Sequence, residues 1–126
     1  MTRKILLVDD SPVARKILRK CIPEDGCFEI FEASDGLDGL KKFEEINPDI
    51  TFMDLTMPVM DGMEALGEIK KRNKDALVII QTADTQIKSV FMAMELGAFM
   101  VLKKPISKDS IKAVLKEADG ALQTER

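Results

Sequence analysis

The sequence predicts an α/β fold in which five parallel strands form a doubly wound sheet covered by five helices, in one domain over residues 1–126. Short apolar runs alternate along the chain with segments whose apolar residues recur at helical spacing. The runs are almost continuously apolar, which is typical of parallel strands that are buried on both faces. A chain of 126 residues with 45% hydrophobic and 33% charged residues suffices for one ordinary core and is too short for two.

The first half of the chain contains three predicted strands and two predicted helices. The strands are residues 5–8, 28–33 and 50–53. Ser11 and Pro12 predict the start of the first helix, because serine is a good N-cap and proline suits the first helical position. The apolar stripe of that helix consists of Val13, Ile17, Leu18 and Cys21. The second helix begins near residue 35 and ends at residues 47–48, and its stripe consists of Leu37, Leu40, Phe43 and Ile46.

The second half of the chain contains two further predicted strands and three helices. The strands are residues 77–80 and 100–102. Asp61 followed by Glu64 resembles a capping box at the start of a helix that continues to about residue 71. The next helix is expected over about residues 85–96, because the glycine that follows is a common helix stop. Ser107 is expected to cap the last helix, which continues to about residue 123.

The composition excludes several classes of function. The sequence contains no histidine, which excludes nucleophile systems and zinc sites that need an imidazole. A net charge of −3 and the absence of Tyr and Trp argue against nucleic-acid binding by a basic face or by base stacking. Cys21 and Cys27 form no CxxC and are expected to be reduced thiols of a cytoplasmic protein. No apolar run has the length of a membrane span or of a signal-peptide core, so membrane insertion is not expected.

Polar residues follow four of the five predicted strands. Two carboxylates follow the first strand, one follows the third, a hydroxyl ends the fourth and two lysines follow the fifth. In chain order these residues are Asp9, Asp10, Asp54, Thr82, Lys103 and Lys104. Because the carboxyl ends of strands in such a sheet meet at one edge, we expect these side chains to converge. Each motif is common by itself, but their joint placement in one short domain is far more specific.

The chemistry of these residues points to phosphoryl transfer. Three neighbouring carboxylates raise one another's pKa unless a cation lies among them. Mg²⁺ suits a site with one or two carboxylates, water and a phosphoryl oxygen. Asp54, alone at its strand end, is then the natural nucleophile, because a carboxylate can form an acyl phosphate. A lysine ammonium would complete the positive charge around the phosphoryl oxygens, and the Thr82 hydroxyl is able to donate to one of them.

The chain resembles the receiver domain of two-component response regulators from end to end. Residues 5–11, ILLVDDS, resemble the first strand and acidic pair of that family, and residues 53–62, MDLTMPVMDG, closely match the segment around its phosphoacceptor. Thr82 with Ala83, and Lys104 with Pro105, match the remaining motif positions. The resemblance implies the flavodoxin-like receiver fold with the strand order 2-1-3-4-5.

The resemblance also assigns roles in metal binding and phosphorylation. Asp54 is expected to be the phosphorylated residue. Asp10 is expected to bind Mg²⁺ directly, together with Asp54 and the backbone carbonyl of Thr56. Asp9 is expected to assist, partly through water.

The same resemblance assigns the residues that recognise the phosphoryl group. Lys104 is preferred to Lys103 for this contact because a proline follows it, and the bond between Lys104 and Pro105 is expected to be cis. Thr82 is expected to be the switch hydroxyl. Many members of the family carry an aromatic residue three positions before this lysine, where the present chain has Val101. A swinging aromatic side chain is therefore not expected here.

The helix expected over residues 85–96 has apolar residues on more than one face. They are Ile87, Val90, Phe91, Met92, Met94 and Leu96. Since a one-sided surface helix shows a narrower stripe, this helix is either well buried or an adaptable partner surface, to which methionine is suited. The resemblance implies a partner-binding face that changes on phosphorylation. Its expected members are Val90, Met94, Val101, Lys103 and Ile106.

The function that the resemblance implies is that of a stand-alone response regulator. It is not expected to be an enzyme beyond its own phosphoryl transfer and autodephosphorylation. The expected partners are a sensor histidine kinase or phosphotransfer protein as donor and a downstream protein target, with a phosphorylation-dependent dimer as an open alternative. Because the chain ends soon after its last helix, output is expected through protein contact, as in chemotaxis-type regulators, or through onward phosphate relay.

Two other functions are weaker explanations of the same residues. A magnesium-dependent phosphatase with an aspartyl-phosphate intermediate would need a second general acid, which Asp54-Leu55-Thr56 lacks, and room for a substrate cap. A pseudo-receiver, which has the fold but is never phosphorylated, would not need the complete set of acidic, hydroxyl and lysine residues.

Overall fold

The computed structural model describes residues 2–24, 26–83 and 86–124. Within these residues five strands alternate with five helices, as the sequence predicts. The strands are β1 (Arg3–Val8), β2 (Phe28–Ala33), β3 (Ile50–Asp54), β4 (Leu77–Thr82) and β5 (Met100–Lys103). The helices are α1 (Pro12–Cys21), α2 (Gly36–Ile46), α3 (Gly62–Arg72), α4 (Ile87–Glu95) and α5 (Lys108–Thr124).

The strands form one parallel sheet in the order β2-β1-β3-β4-β5, which confirms the expected order. Every residue of β3 and β4 is buried, because these strands lie inside the sheet with helices on both faces. The edge strands β2 and β5 are only partly buried. Val8 pairs with Met53, and Asp54 pairs with Gln81. This register brings the carboxyl ends of β1, β3 and β4 to the same edge of the sheet.

Alternate residues of the strands pack into two hydrophobic clusters, one on each face of the sheet. Leu6 belongs to the cluster under α2, α3 and α4, and Leu7 belongs to the cluster under α1 and α5. This alternation follows from the two-residue period of a strand. The two clusters pack the helices onto both faces of the sheet, so the loops at the strand ends extend from a well-packed core.

Side-chain hydrogen bonds confirm the predicted helix starts. Ser11 Oγ accepts from the backbone N–H of Ala14 at 3.1 Å, at the start of α1. Asp61 Oδ1 accepts from the backbone N–H of Glu64 at 2.9 Å, at the start of α3. Ser107 Oγ caps the first turn of α5 in the same way. Each bond satisfies one of the backbone donors that a helix start leaves without a partner.

The structure corrects the predicted apolar stripes at three residues. Val13 and Ile17 of α1 are 67% and 51% exposed, and Leu37 of α2 is 37% exposed. α1 packs on the sheet through Leu18, and Ile22, four residues on, is buried beside it. The helix is therefore rotated so that the face with Val13 and Ile17 points away from the core.

α4 is an exposed helix, so the alternative of a well-buried helix is wrong. Ala93 is its buried residue. Its exposed apolar residues, with Leu96 at its C-terminal end, are Ile87, Phe91, Met92, Met94 and Leu96. The helix begins after Gln86, which makes no side-chain capping bond, and the predicted start at residue 85 lies outside the described residues.

No helix in the described part of the chain combines the length and the apolar character that crossing a membrane requires.

Candidate functional site

Three carboxylates meet at the carboxyl ends of β1 and β3. Asp9 and Asp10 follow β1 directly and Asp54 ends β3, and one carboxylate oxygen of each lies within 4.8 Å of the others. Asp9 and Asp54 are buried, whereas Asp10 is exposed. The structure thus brings together the three acidic residues that the sequence predicts, one of them open to solvent.

Asp9 is held in place by contacts to both carboxylate oxygens. Its Oδ1 accepts from the backbone N–H of Ser11 at 2.9 Å, and its Oδ2 accepts from Nζ of Lys104 at 2.9 Å. Arg15, one turn into α1, donates from its guanidinium to the backbone carbonyl of Asp9. These bonds fix the first strand end and satisfy a carboxylate that is almost fully buried.

Lys104 is the lysine that reaches the acidic residues. Its Nζ lies 3.5 Å from Oδ1 of Asp54 as well as 2.9 Å from Asp9, while Lys103 is exposed. The backbone N–H of Lys104 donates to the carbonyl of Thr82 at 2.8 Å, and the bond from Lys104 to Pro105 is cis, as expected. Lys104, and not Lys103, is therefore the lysine that lies beside the carboxylates.

Burial and the neighbouring charges together raise the pKa of two groups of the site. Burial raises the pKa of Asp54, and the negative charges of Asp9 and Asp10 add to the rise while Lys104 opposes it. Burial works to lower the pKa of Lys104, but its hydrogen bond to Asp9 and the charge of Asp54 outweigh that effect, so this pKa is raised. The lysine stays charged, and the acidic cluster has more negative charge than the lysine compensates.

The donor set fits Mg²⁺. Carboxylate oxygens are the ligands that this hard cation prefers, and it commonly binds through one or two of them together with water. The raised pKa of Asp54 indicates that a further cation beside its carboxylate would be stabilising. Asp10 and Asp54 would hold the ion, and Asp9, already bonded to Lys104, is suited to the indirect role that the resemblance implies.

The two hydroxyl residues of the predicted site lie in different surroundings. Thr82 ends β4 and is 2% exposed, and its carbonyl is bonded to Lys104, so it belongs to the same strand-end cluster. Thr56 is exposed in the loop after β3, two residues beyond Asp54.

The five residues of the expected partner face differ in exposure. Met94 and Lys103 are exposed, and the other three are half-buried. Val101 packs against the cluster under α2, α3 and α4, whereas Ile106 packs against the cluster under α1 and α5. Val90 lies on α4, the helix that packs through Ala93 on the same cluster as Val101.

A cavity of about 380 Å³ adjoins the site between α1 and the loop after β5, and the sequence did not indicate it. Asp9 and Lys104 line its inner side together with Gln81. Its apolar lining consists of Ala14, Ile17, Ala83, Pro105 and Ile106. The solvent-exposed side chain of Ile17 thus belongs to an apolar surface that reaches the acidic cluster.

Sequence reasoning also missed Arg15 and Gln81. Arg15 bonds to Asp9 and, through Nε, to Glu32 at 2.8 Å, but nothing in its sequence position indicates this. Gln81 Oε1 is buried and has no hydrogen-bond partner among the described residues. A glutamine at the end of an otherwise apolar strand was a detectable signal of a polar strand end.

Residues 5–116 match the family model described as the response regulator receiver domain. The chain belongs to the response regulator receiver family. The match covers β1 from residue 5 onward, the other four strands, the three carboxylates of the site, Thr82 and Lys104. As a receiver, the chain is a signalling module of a two-component system.

Three relatives illustrate the range of proteins to which this receiver is similar. It is 36% identical over 115 residues to the chemotaxis protein CheY of Listeria monocytogenes serovar 1/2a (strain ATCC BAA-679 / EGD-e), which covers 91% of this chain and 97% of that protein. It is 41% identical over 104 residues to protein-glutamate methylesterase/protein-glutamine glutaminase 2 of Koribacter versatilis (strain Ellin345), covering 81% of this chain but only 29% of that longer protein. Among solved structures, the CheX-CheY-BeF3-Mg complex from Borrelia burgdorferi superposes with a TM-score of 0.86 at 30% identity, over 91% of this chain and 87% of that one.

Proposed function

We propose that this receiver accepts a phosphoryl group on Asp54, in a Mg²⁺-dependent reaction, from the phosphohistidine of a sensor histidine kinase or phosphotransfer protein. One observation carries the proposal. Carboxylate oxygens of Asp9, Asp10 and Asp54 lie within 4.8 Å of one another, and Nζ of Lys104 lies 3.5 Å from Oδ1 of Asp54. A site with this charge pattern can bind a divalent cation and a phosphoryl group together. The Borrelia burgdorferi relative was solved with BeF3 and Mg, which supports the same assignment.

In the proposed reaction an oxygen of the Asp54 carboxylate attacks the phosphorus atom. The bond from phosphorus to the donor imidazole nitrogen breaks, and its electron pair stays on that nitrogen, which is protonated by solvent. Lys104 donates to an oxygen of the transferred group, and Mg²⁺ supplies positive charge beside it when bound. Asp9 holds the Lys104 ammonium by its 2.9 Å bond, so the lysine is oriented before the donor arrives.

The new charge on Asp54 then alters a binding face. Thr82 would donate its hydroxyl to the phosphoryl group, and a modest free energy suffices to bias two neighbouring conformations. The face is proposed to contain α4, β5 and the loop after it. Its members are Val90, Met94, Val101, Lys103 and Ile106. Similarity over 97% of the length of the Listeria chemotaxis protein CheY supports a regulator of the chemotaxis type.

The proposal is tested by incubating the protein with acetyl phosphate with and without Mg²⁺, and by measuring intact mass. We expect a base-labile adduct of one phosphoryl group that requires Mg²⁺ and is lost in Asp54→Asn. Asp61→Asn is the matched control, because Asp61 lies in the same segment but caps α3, and it should be phosphorylated normally. If neither acetyl phosphate nor any phosphorylated histidine kinase of a broad panel gives an adduct, the proposal is wrong.

The partner face is tested with Met94→Glu, which places a charge on the exposed side of α4. Phosphorylation of Asp54 should be unchanged, while a target captured by the phosphorylated wild type should no longer bind. Leu37→Glu on α2 is the control, since Leu37 is also an exposed apolar residue but lies away from this face. Target binding that survives Met94→Glu would contradict the assignment of α4 to the face.

The cavity beside the site is proposed as the contact for the phosphodonor protein. Any donor must place its histidine over Asp54, and the exposed apolar side chain of Ile17 lines this cavity together with Asp9 and Lys104. Ile17→Glu should therefore slow transfer from a histidine kinase at least about tenfold while leaving the rate with acetyl phosphate unchanged. Equal slowing with both donors would instead indicate damage to the site itself.

A further inference from the structure

Backbone hydrogen bonds from two glycines, one at the start of α3 and one at the start of α2, hold the two ends of the loop between β3 and α3. This loop, residues 55–61, follows Asp54 directly and contains Thr56. Gly62, the first residue of α3, donates its backbone N–H to the carbonyl of Leu55 at 2.8 Å. Gly36, the first residue of α2, donates to the carbonyl of Met60 at 3.0 Å. The starts of two helices thus hold the loop at its beginning and near its end.

Neither glycine leaves room for a side chain. A Cβ at Gly62 would lie 2.0 Å from the carbonyl oxygen of Asp54 and 2.8 Å from Cα of Leu55. A Cβ at Gly36 would lie 2.1 Å from the carbonyl oxygen of Met60. In both cases the obstacle is backbone, which cannot rotate away as a side chain can. Gly67, within the same helix as Gly62, differs, since nothing lies within 4 Å of its Cβ position.

The middle of the loop contains a strained turn. Val59 has a φ of 68°, and the backbone N–H of Met60 donates to the carbonyl of Pro58 at 2.7 Å. This is a γ-turn of the rare kind with positive φ, and a β-branched residue is especially unfavourable in it. Val59 is 77% exposed, so packing of its own side chain does not maintain the conformation. Such strain persists where the surrounding structure over-determines the backbone, and the two glycine contacts provide that constraint.

We propose that Gly36 and Gly62 are positioning residues of the site, which place the backbone of Asp54 and the carbonyl of Thr56 for Mg²⁺ and the phosphoryl group. The proposal rests on the proposed function of Asp54. Gly62 acts directly, because α3 packs against the Asp54 carbonyl at a distance that no other residue permits. Gly36 acts through Met60, because a shift there is transmitted to a loop whose turn is already strained.

An added methyl group must therefore displace the site as well as the helix. At position 62 the Asp54 carbonyl has to move by roughly an ångström to reach ordinary contact, and a displacement of that size can reduce a rate by as much as about a hundredfold. At position 36 the displacement begins farther from Asp54. We therefore expect a smaller effect from Gly36→Ala than from Gly62→Ala.

The test compares Gly62→Ala and Gly36→Ala with Gly67→Ala, which makes the same change at an open position of α3. Affinity for Mg²⁺ alone is measured by calorimetry, phosphorylation by acetyl phosphate is measured by intact mass, and folding is followed by circular dichroism. We expect Mg²⁺ binding about tenfold weaker or more in Gly62→Ala, about threefold weaker in Gly36→Ala, and unchanged in Gly67→Ala. The rate of phosphorylation should follow the same order.

Ile69→Val is the control for loss of stability alone, because it mildly destabilises the buried side of α3 about two turns beyond Gly62. Its Mg²⁺ affinity should equal that of the wild type. Folded Gly62→Ala protein with wild-type Mg²⁺ affinity would overturn the proposal. So would failure of both glycine variants to fold, because the contacts would then serve folding and not the site. If the wild type itself accepts no phosphoryl group, the proposed function fails, and the Mg²⁺ affinities still decide whether the glycines position the metal ligands.

Discussion

At the scale of single residues, the site is an unbalanced set of charges. Lys104 is shared by Asp9 and Asp54, while Asp10 adds a third carboxylate. Burial and the neighbouring carboxylates raise the pKa of Asp54, so its ionised form is less stable in the folded protein than in the unfolded chain. The excess of negative charge is what a divalent cation would relieve, and it makes the site sensitive to each charged side chain.

Asp54→Asn should stabilise the metal-free protein at neutral pH. Below the ordinary pKa of 3.8 the Asp54 carboxyl is protonated in both the folded and the unfolded state, and its charge has no effect. As the pH rises from 3.8 through the raised pKa, the folded protein alone resists ionisation, so the wild type loses stability in that window. The gain from Asp54→Asn should therefore be complete above the raised pKa and vanish below 3.8.

Urea denaturation of both proteins at several pH values measures this effect. Saturating Mg²⁺ should remove most of the difference at pH 7 by stabilising the wild type. A variant less stable than the metal-free wild type at pH 7 would contradict the account of the charges.

Lys104→Met should lower the free energy of unfolding of the metal-free protein by about 1–3 kcal/mol, because it leaves the buried Asp9 carboxylate without its cation. The value is below that for a fully buried pair, since the Lys104 side chain is 26% exposed. Lys103→Met is the control, because Lys103 is the exposed neighbour, and it should change stability by less than about 0.5 kcal/mol. Thermal or urea unfolding gives both values, and equal effects of the two changes would show that Lys104 does not compensate the acidic cluster.

At the scale of the elements, the helix starts link local sequence to the position of the site. α1 begins directly after the acidic pair, capped by Ser11, and α3 begins after the loop that follows Asp54, capped by Asp61. Each capping residue fixes the point at which the loop of the site stops and the helix begins. α1 and α4 also carry apolar residues on their exposed faces, in addition to those that pack on the sheet. The helical spacing of apolar residues in the sequence does not distinguish the exposed ones from the buried ones.

Asp61→Ala should lower the free energy of unfolding by about 1 kcal/mol, because it removes the acceptor for the Glu64 backbone N–H at the start of α3. Asp75→Ala, at an exposed aspartate in the loop before β4, is the control and should be nearly neutral. Urea denaturation measures both. Equal stability of the two variants would mean that the cap does not contribute to α3.

At the scale of the whole molecule, the sequence predicts the sheet better than the faces of the helices. Parallel strands buried on both sides are continuous apolar runs, so β1, β3 and β4 could be recognised directly. The strand order needed the family resemblance. The orientation of α1 could not be predicted, because a rotation of one residue decides whether Ile17 or Leu18 enters the core, and both are apolar.

The site could be predicted as a set of residues but not as a set of contacts. Convergence at one sheet edge follows from topology, which is why Asp9, Asp54 and Lys104 were found. The bond from Lys104 to Asp9, the cavity beside α1 and the contact of Gly62 with the Asp54 carbonyl depend on coordinates. Gly62 is part of a recognisable motif, yet its sequence position alone does not show that a Cβ there would clash with the Asp54 carbonyl oxygen.

Phosphorylation of Asp54 is the step on which the proposed function depends. The most direct test treats the phosphorylated protein with borohydride, which reduces an acyl phosphate on aspartate to homoserine, and then sequences the peptides by tandem mass spectrometry. We expect homoserine at position 54 alone, and only when Mg²⁺ was present during phosphorylation. Homoserine at position 9 or 10, or phosphate that resists borohydride and base, would contradict it.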